Sequence, residues 1–260
     1  MNKEPNDMIP KTKLRKNLPY VLIGLNLLFT AQVHAEIDDR RVIADCKKIP
    51  SYANAGNTAY QKGDYVTAQK HFMNQVAWTE ACHFSDEVKV DSGARATAYN
   101  NMALTYIRQG DLLKAKAWLM IAPEDKKSQY NLKLIADKIA ALPKPTTYAG
   151  EYWQYSGLGN WNSIEVTPKG NKFTIDYNGY YFGIMGIYYG PNMGQFSFVS
   201  SIPADGKVEY DQSKADKETD YSGDCKVNMQ FTHADVTVET AGDCGFGHNV
   251  SADGNYIRVR

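Results

Sequence analysis

The spacing of apolar residues changes once along this chain. In its first part, apolar residues recur three and four positions apart, which places them on one face of an α-helix. In its last part, apolar and polar residues alternate, as at Phe173 and Tyr177, and this predicts β-strands. Pro143 and Pro145 end the helical pattern. The pattern predicts an α+β multidomain chain with a helical domain at 36–142, a proline-rich linker at 143–147 and a β-domain at 148–260.

The β-domain is expected to contain seven or eight antiparallel strands, since turn-forming pairs such as Asn178-Gly179 interrupt the alternation at short intervals. That number suits a small up-and-down barrel or a sandwich. Residues 180–182 and 187–189 are expected to place aromatic side chains on both faces of one strand. Such a strand is either covered on both sides, with the helical domain as one cover, or presents a tyrosine-rich binding surface.

The N-terminal residues have the order of a secretory signal. Basic residues between positions 11 and 16 precede an apolar run at 18–30, and small residues follow as far as Ala35. The run is too short to cross a hydrocarbon layer of roughly 30 Å. We therefore expect residues 1–35 to be a signal peptide, cleaved after Ala35 or retained as an anchor. The expected location is the periplasm, with secretion as the alternative, and no stable membrane insertion follows cleavage.

Removal of residues 1–35 leaves a net charge of −3, whereas nucleic-acid-binding proteins are normally basic. The charge also divides at the linker. Residues 36–147 carry +3 and residues 148–260 carry −6. We therefore expect no nucleic-acid partner, and two surfaces of opposite charge.

The four cysteines divide equally between the two predicted domains. Cys46 and Cys82 lie in the helical part, and Cys225 and Cys244 lie in the β-part. An oxidising compartment favours disulfides; four cysteines allow three connectivities, of which pairing within each domain is the simplest. A bridge would also remove Cys244 as a nucleophile activated by His248. No two histidines of the exported chain have metal-ligand spacing, so we expect no metal, no cofactor and no enzymatic activity.

Two segments of the helical domain, 52–68 and 99–115, share residue types at matching positions. The matches are two large residues, two small residues, two Gly-Asp turns and two further small residues: Tyr52 and Tyr99, Gly56 and Ala103, Gly63-Asp64 and Gly110-Asp111, Ala68 and Ala115. In these positions both segments resemble the tetratricopeptide repeat. The turns lie 47 residues apart, whereas the family repeats at about 34. Residues 38–49 and 128–142 are expected to form flanking helices.

This resemblance implies helical hairpins that bind a protein partner in a concave groove. The positions that face inward in such repeats correspond to Asn57, Tyr60, Asn100, Asn101, Thr105 and Arg108. Residues 150–153 and 244–256 look like the first and last strands of small secreted β-barrels in bacterial envelope proteins, which include inhibitors of cell-wall hydrolases. The β-domain adds three further partner-binding candidates: Tyr181, Tyr189 and His248.

These features predict a periplasmic scaffold protein that docks, as an accessory factor, to an envelope machine such as a secretion-system or cell-wall complex. Its partners are expected to be proteins of the cell envelope, and its oligomeric state is left open. One alternative is an inhibitor or immunity protein that binds a cell-wall hydrolase or another toxin through the β-domain. Another is a small-ligand barrel with a cavity lined by Phe173, Ile184 and Met229.

Overall fold

The computed structural model describes residues 39–84, 88, 90–183, 185–212 and 224–260. The expected signal peptide lies outside these residues. The chain from 37 to 260 groups into one compact unit. Within the described ranges, no helix has both the length and the apolar character needed to span a membrane.

Six helices precede the sheet. They are α1 (Asp39–Cys46), α2 (Ile49–Gln61), α3 (Tyr65–Ala81), α4 (Ser92–Gln109), α5 (Leu112–Leu119) and α6 (Lys126–Ala140). Asp64, Asp91 and Asp125 precede α3, α4 and α6, and each carboxylate accepts a hydrogen bond from a backbone N–H of the first turn. Gly110 ends α4 in the left-handed region, with φ of 83°, which a glycine adopts without steric cost.

The helices pack through small residues, as the sequence predicts. Gly56 of α2 lies against the ring of Phe72 in α3, where an added Cβ would be 2.4 Å from a ring carbon. Ala68, Ala103 and Ala115 are fully buried in the same core. Because these positions lack bulk, α2 approaches α3 and α4 approaches α5 closely enough for larger side chains to fill the remaining space. The predicted succession of helical hairpins followed by strands is confirmed.

Eight antiparallel strands follow the helices. They are β1 (Gly150–Gly157), β2 (Asn160–Lys169), β3 (Lys172–Tyr181), β4 (Asn192–Ser200), β5 (Lys207–Asp211), β6 (Lys226–Phe231), β7 (Asp235–Ala241) and β8 (Gly254–Arg258). Their order in the sheet is β4-β3-β2-β1-β8-β7-β6-β5, with β1 paired with β8 at its centre. The sheet curls into a nearly closed barrel, whose two edge strands are β4 and β5. The predicted fold class, α+β with an antiparallel barrel or sandwich, is confirmed, and of the two forms the sheet takes the barrel.

Large side chains fill the interior of the barrel. Tyr152, Tyr177 and Tyr256 are almost fully buried beside Phe231 and several β-branched residues. The three tyrosine hydroxyls each donate to a backbone carbonyl, at 2.8 Å in every case. Burial raises the pKa of Tyr177 and of Tyr256, which keeps both hydroxyls protonated as donors. The interior is therefore a satisfied core.

Side chains close the gap between β4 and β5, the two edges of the sheet. The rings of Phe198 and Tyr210 stack with centroids 4.3 Å apart and nearly parallel planes. Part of the β4 edge is also covered, because Gln195 N–H donates to the carbonyl of Phe246 at 3.2 Å. Between β4 and β5, aromatic stacking thus takes the place of backbone hydrogen bonds between paired strands.

The prediction of one continuous strand through residues 180–189 was wrong. Strand β3 ends at Tyr181, and a single helical turn, α7 (Gly186–Tyr189), connects it to β4. The turn is held by backbone bonds from Tyr189 N to Met185 O at 3.1 Å and from Gly190 N to Gly186 O at 2.8 Å. Tyr188 and Tyr189 therefore point in directions that a strand would not give them.

Both predicted disulfides are present. Cys46 pairs with Cys82 and ties α1 to the end of α3, while Cys225 pairs with Cys244 and ties the start of β6 to the loop after β7. All four cysteines of the chain are used. Cys244 consequently has no thiolate to offer in a nucleophilic mechanism with His248.

Candidate functional site

A cleft of about 330 Å³ lies between α4 and α6. Helix α4 contributes Thr97, Asn100, Asn101 and Leu104, and helix α6 contributes Lys126, Lys127, Tyr130 and Asn131. The cleft therefore combines amide groups, two ammonium groups and apolar side chains within one concave surface.

Two buried amides form its floor. The Asn100 side chain donates to Ser128 Oγ at 2.9 Å, and Asn131 Nδ2 donates to Asn100 Oδ1 at 2.7 Å. Asn100 is 3% exposed and Asn131 is 8% exposed, so these bonds are sheltered from water. Beside them, Asn101 Nδ2 donates to Gln75 Oε1 of α3 at 3.0 Å. The network joins α4 to its neighbours and fixes the geometry of the floor.

The rim of the cleft is more exposed. Lys127 Nζ donates to Thr97 Oγ1 at 2.8 Å and so bridges the two helices. Tyr130 is 68% exposed and Leu134, four residues further along α6, is 53% exposed. These side chains lie on neighbouring turns of one helix face and offer apolar surface next to a positive charge.

A second polar pair lies toward the other end of α4. Arg108 Nε donates to the Tyr60 hydroxyl at 2.9 Å, with the guanidinium carbon 5.8 Å from the centre of the Tyr60 ring. Asn57, one turn before Tyr60 on α2, is exposed to solvent. The pair links α2 to α4 across the helix surface.

The predicted groove residues thus fall into separate environments. Asn100 and Asn101 line the cleft, Tyr60 and Arg108 bind one another, and Asn57 is exposed. The assignment of Thr105 to the groove surface is corrected: its side chain is fully buried, and its hydroxyl donates to Met102 O at 2.7 Å.

The sequence reasoning missed the contribution of α6, which supplies Lys126, Lys127, Tyr130 and Asn131. The apolar face of 128–142 predicts a flanking helix and does not indicate a binding surface. Lys127 and Tyr130, three residues apart on α6, are the signal in the sequence that points to the cleft.

The aromatic residues of β1 and β2 lie against the helices. The Trp161 ring lies 5.2 Å from that of Trp118 in α5, and the Tyr155 ring lies 6.0 Å from the rings of both Trp118 and Tyr99. We call Tyr99, Trp118, Tyr155 and Trp161 the aromatic seam. The helical cover that was predicted for residues 180–189 is thus found over β1 and β2, to which that prediction did not extend.

A carboxylate anchors the aromatic seam. Glu80 of α3 accepts hydrogen bonds from the Tyr155 hydroxyl and from Leu158 N, the latter at 2.6 Å. Burial and the negative charge of Glu80 raise the pKa of Tyr155, so the hydroxyl remains the donor. Lys114 of α5 adds a weaker link, with Nζ 3.8 Å from Glu151 and 5.0 Å from the centre of the Trp153 ring.

The short helix α7 makes a second contact with the helices. The Tyr188 ring meets Trp78 of α3 at 5.5 Å, and its hydroxyl donates to Asp45 of α1 at 2.9 Å. Arg41 lies over the same ring at 5.2 Å. Burial, with the nearby Asp45 carboxylate, raises the pKa of Tyr188 to about 12. The helices therefore hold the sheet at two separated places.

The remaining candidates gather at the α7 end of the sheet. Tyr181 is 41% exposed at the end of β3, and Tyr189 is 72% exposed on α7. His248 is exposed as well, and its carbonyl accepts a bond from Asn192 Nδ2 at 2.9 Å. Met193, which the sequence reasoning did not select, is 67% exposed near the start of β4, where it is paired with Tyr180.

Across the part of the chain that the structure describes, no group of three or more His, Cys, Asp or Glu residues is arranged to hold a metal ion. Comparison with protein-family models, with curated proteins and with solved structures finds no match in any of the three. A function is therefore inferred from the geometry of the residues themselves.

Proposed function

We propose that this chain is a non-enzymatic interaction protein of the cell envelope, and that the cleft between α4 and α6 binds an extended segment of a partner protein. The observation that carries this proposal is the construction of the cleft. Its amide floor is held by hydrogen bonds, while Tyr130 and Lys127 stand at its rim.

The dimensions and chemistry of the cleft suit a few residues of peptide. Its volume of about 330 Å³ lies at the small end of the range of ligand sites. Amide groups such as that of Asn101 can both donate to and accept from a peptide backbone. Tyr130 and Leu134 offer apolar surface to a partner side chain, and Lys126 and Lys127 favour a segment with negative charge.

The tetratricopeptide-like spacing supports the same proposal. Helices α2, α4 and α6 occupy the positions of the first helices of successive hairpins, and in that family these helices line the concave, partner-binding surface. The resemblance concerns Tyr52, Gly56, Ala68 and their counterparts in the second segment, and the small residues of both segments are packed as such hairpins require.

A scaffold role follows from the two contacts between helices and sheet. The aromatic seam and the Tyr188 contact hold the cleft in a fixed relation to the sheet. A partner bound in the cleft would thus be positioned beside the β-domain, whose net charge is opposite to that of the helices. The N-terminal signal pattern and two disulfides suit the periplasm, where such a protein would serve a secretion-system or cell-wall complex.

The filled barrel favours this proposal over a small-ligand carrier. Met229 is 3% exposed and Phe173 packs against the same core, so both belong to the packed interior. Ile184 lies outside the described residues. The inhibitor alternative would instead place the partner on the β-domain, around Tyr181, Tyr189 and His248.

Site-specific photocrosslinking tests the proposal. A photoreactive phenylalanine analogue is placed at Leu104 in the cleft, at Tyr189 on the sheet, or at Val66 on α3, which is 58% exposed and outside the cleft. We expect a discrete protein adduct from position 104 in intact cells and none from position 66. Adding Lys127→Ala with Tyr130→Ala should lower the yield at position 104 by about tenfold or more, since truncating interface residues that matter costs over about 1 kcal/mol each and about 1.4 kcal/mol is a factor of ten.

Two results would overturn the proposal. One is equal adduct formation from positions 104 and 66, which would indicate random collisions. The other is a discrete adduct from position 189 with none from position 104, which would favour the inhibitor alternative.

A further inference from the structure

One face of α4 continues from the cleft toward the end of the helix. Thr97, Asn101 and Leu104 line the cleft, and Arg108 follows at the same helical spacing. Steps of four, three and four residues bring all four side chains to one side of an α-helix. At a rise of 1.5 Å per residue, the distance from Thr97 to Arg108 along the helix is about 16 Å. We call this surface the α4 face.

Each end of the α4 face carries a positive charge that a neighbouring helix holds in place. At one end, Lys127 of α6 donates to the Thr97 hydroxyl at 2.8 Å. At the other end, Arg108 Nε donates to the Tyr60 hydroxyl of α2 at 2.9 Å, and the guanidinium carbon lies 5.8 Å from the centre of the Tyr60 ring. These neutral partners orient the two cations without neutralising them.

Neither cation is paired with a carboxylate among the residues that the structure describes. The ion pairs of the helices involve Lys48 and Lys114 instead. The carboxylate of Asp125, which lies close to Lys127 in sequence, accepts from backbone N–H groups of the first turn of α6. Both charges of the α4 face therefore remain available to a bound anion.

The charge of the three helices around the α4 face has the same sign. Helix α2 contains no charged residue, and α4 contains no acidic one. Together α2, α4 and α6 carry six basic residues against one acidic residue: Arg95, Arg108, Lys126, Lys127, Lys133 and Lys138 against Asp137. In a chain whose formal net charge is zero, this concentration of positive charge favours a negatively charged partner.

The separation of the two cations specifies how the negative charges of a partner have to be placed. Successive residues of an extended peptide are about 3.3 Å apart, and every second side chain points to the same side. Two side chains four residues apart are therefore separated by about 13 Å, and the length of the side chains covers the remaining distance to both cations. Two side chains only two residues apart, separated by about 7 Å, reach one cation at a time.

Building on the proposed function, we propose that Arg108, oriented by Tyr60, is a second anion-binding position of the groove, and that the partner segment carries two carboxylates four residues apart. One carboxylate binds Lys127 and the other binds Arg108. The two terminal nitrogens of Arg108 can donate to both oxygens of one carboxylate, since only Nε is used by Tyr60. Asn101 and Leu104 contact the residues between the two carboxylates.

Two short peptides of identical composition provide the test. Ser-Glu-Ala-Ser-Ala-Glu-Ser has its glutamates four residues apart, and Ser-Ala-Glu-Ser-Glu-Ala-Ser has them two residues apart. Each is labelled with a fluorophore and titrated at low salt with the chain from residue 36, which contains the compact unit 37–260. We expect the first peptide to bind about tenfold more tightly, the effect of one additional charge-assisted contact.

Substitutions identify which cations cause this preference. Arg108→Gln should make the two peptides bind equally, and Tyr60→Phe should reduce the preference to about threefold, because Arg108 keeps its charge and loses its orienting hydrogen bond. The matched control is Lys133→Gln, which removes one positive charge from an exposed position of α6 outside the cleft and should retain the full preference.

Crosslinking in intact cells tests the same path with the natural partner. A photoreactive phenylalanine analogue at Asn57, an exposed position one turn before Tyr60, should give an adduct of the same mass as the analogue at Leu104. Adding Arg108→Gln should lower the yield at position 57 about tenfold and lower the yield at position 104 less.

Four results would overturn the inference: no binding of either peptide, equal binding of both by the wild type, a preference that survives Arg108→Gln, and equal effects of Arg108→Gln and Lys133→Gln. An adduct from position 104 with none from position 57 would also overturn it, because the partner segment would then be confined to the cleft. In that case the proposed function stands, since it fails only when position 104 itself gives no specific adduct.

Discussion

The β-domain carries aromatic side chains in the aromatic seam and at the exposed Tyr181 and Tyr189, and the helices cover only the seam. Trp161 and Tyr155 of the seam pack against Trp118, whereas Tyr189 on α7 keeps 72% of its surface in solvent. Both places contain tyrosine. Aromatic content therefore does not distinguish an internal contact from an external surface.

The polar groups around the rings make the difference. In the seam, Glu80 accepts a hydrogen bond from the buried Tyr155 hydroxyl. Beside the seam, Glu151 accepts from Trp153 Nε1 at 2.7 Å. The buried indole N–H groups of Trp118 and Trp161 have no hydrogen-bond partner among the described residues, so the seam is held by ring packing as well as by these carboxylates. Tyr189 lies in a stretch of the chain without charged residues, 177–204, and its side chain stays 72% exposed.

The largest expected effect comes from removing the central ring of the seam. Trp118→Ala should lower the free energy of unfolding by about 3–5 kcal/mol, because a fully buried Trp is lost from a site that contacts both helices and sheet. Tyr189→Ser should change it by less than about 0.5 kcal/mol. Urea denaturation followed by circular dichroism measures both, and equal effects would contradict the distinction between the two groups.

Loss of the Cys46–Cys82 bridge should have the next largest effect. The bridge closes a separation of 36 residues, for which the chain-entropy relation gives about 4 kcal/mol. Replacing both cysteines by serine should also release α1 and speed amide exchange in α7, which α1 contacts through Tyr188. Replacing Cys225 and Cys244, only 19 residues apart, should lower the free energy of unfolding by about 3 kcal/mol and leave amide exchange in α7 unchanged. A larger loss of stability from this replacement than from that of Cys46 and Cys82 would contradict the prediction.

The anchor of the seam should contribute less. Glu80→Gln removes the charge from two hydrogen bonds and should cost about 2 kcal/mol. Tyr155→Phe removes one of the same bonds, so the double variant should cost less than the sum of the single changes, by more than about 0.5 kcal/mol. Strict additivity in denaturant titrations would show that the two groups do not interact.

The smallest effect should appear as a pH dependence at α7. Hydrogen bonds from Lys48 and Tyr188 hold the pKa of Asp45 below its usual value. A lowered pKa in the folded protein means stability that is present above about pH 4 and is lost as the pH falls through the folded value. Amide exchange in α7 should therefore speed up below pH 4 in the wild type. In Asp45→Asn, amide exchange at α7 should already be faster at neutral pH and should not speed up further below pH 4. If both proteins showed the same increase below pH 4, Asp45 would not be the group whose protonation causes it.

Much of the fold could be predicted because its signals are local. The Gly-Asp turn at Gly110 ends a helix, and the alternation around Tyr177 marks a strand, so element types follow from a few neighbouring residues. The helical turn α7 was missed, since its Tyr-rich sequence has high strand propensity, whereas its backbone hydrogen bonds and the tertiary contacts of Tyr188 stabilise the helical turn.

The site was harder to predict than the fold. Asn100 lines the cleft, but its hydrogen-bond partners Ser128 and Asn131 lie 28 and 31 residues away, and spacing within one helix does not reveal them. Thr105 was assigned to the surface by analogy with a repeat position, whereas its packing in this chain buries it. The helical cover over Trp161 depends on residues more than 40 positions earlier, which no local pattern identifies.

The pairing of β1 with β8 has a consequence for the order in which the protein folds during synthesis. Tyr152 is registered with Arg258, so the centre of the sheet joins segments more than 100 residues apart, and β8 leaves the ribosome after the other seven strands. Helices α2 to α5 join near neighbours and can assemble earlier, because closing short loops costs less entropy. On the nascent chain, the face of α5 with Trp118 is therefore exposed until the barrel that covers it has formed. A chaperone that shields aromatic surface would have its longest opportunity to bind there.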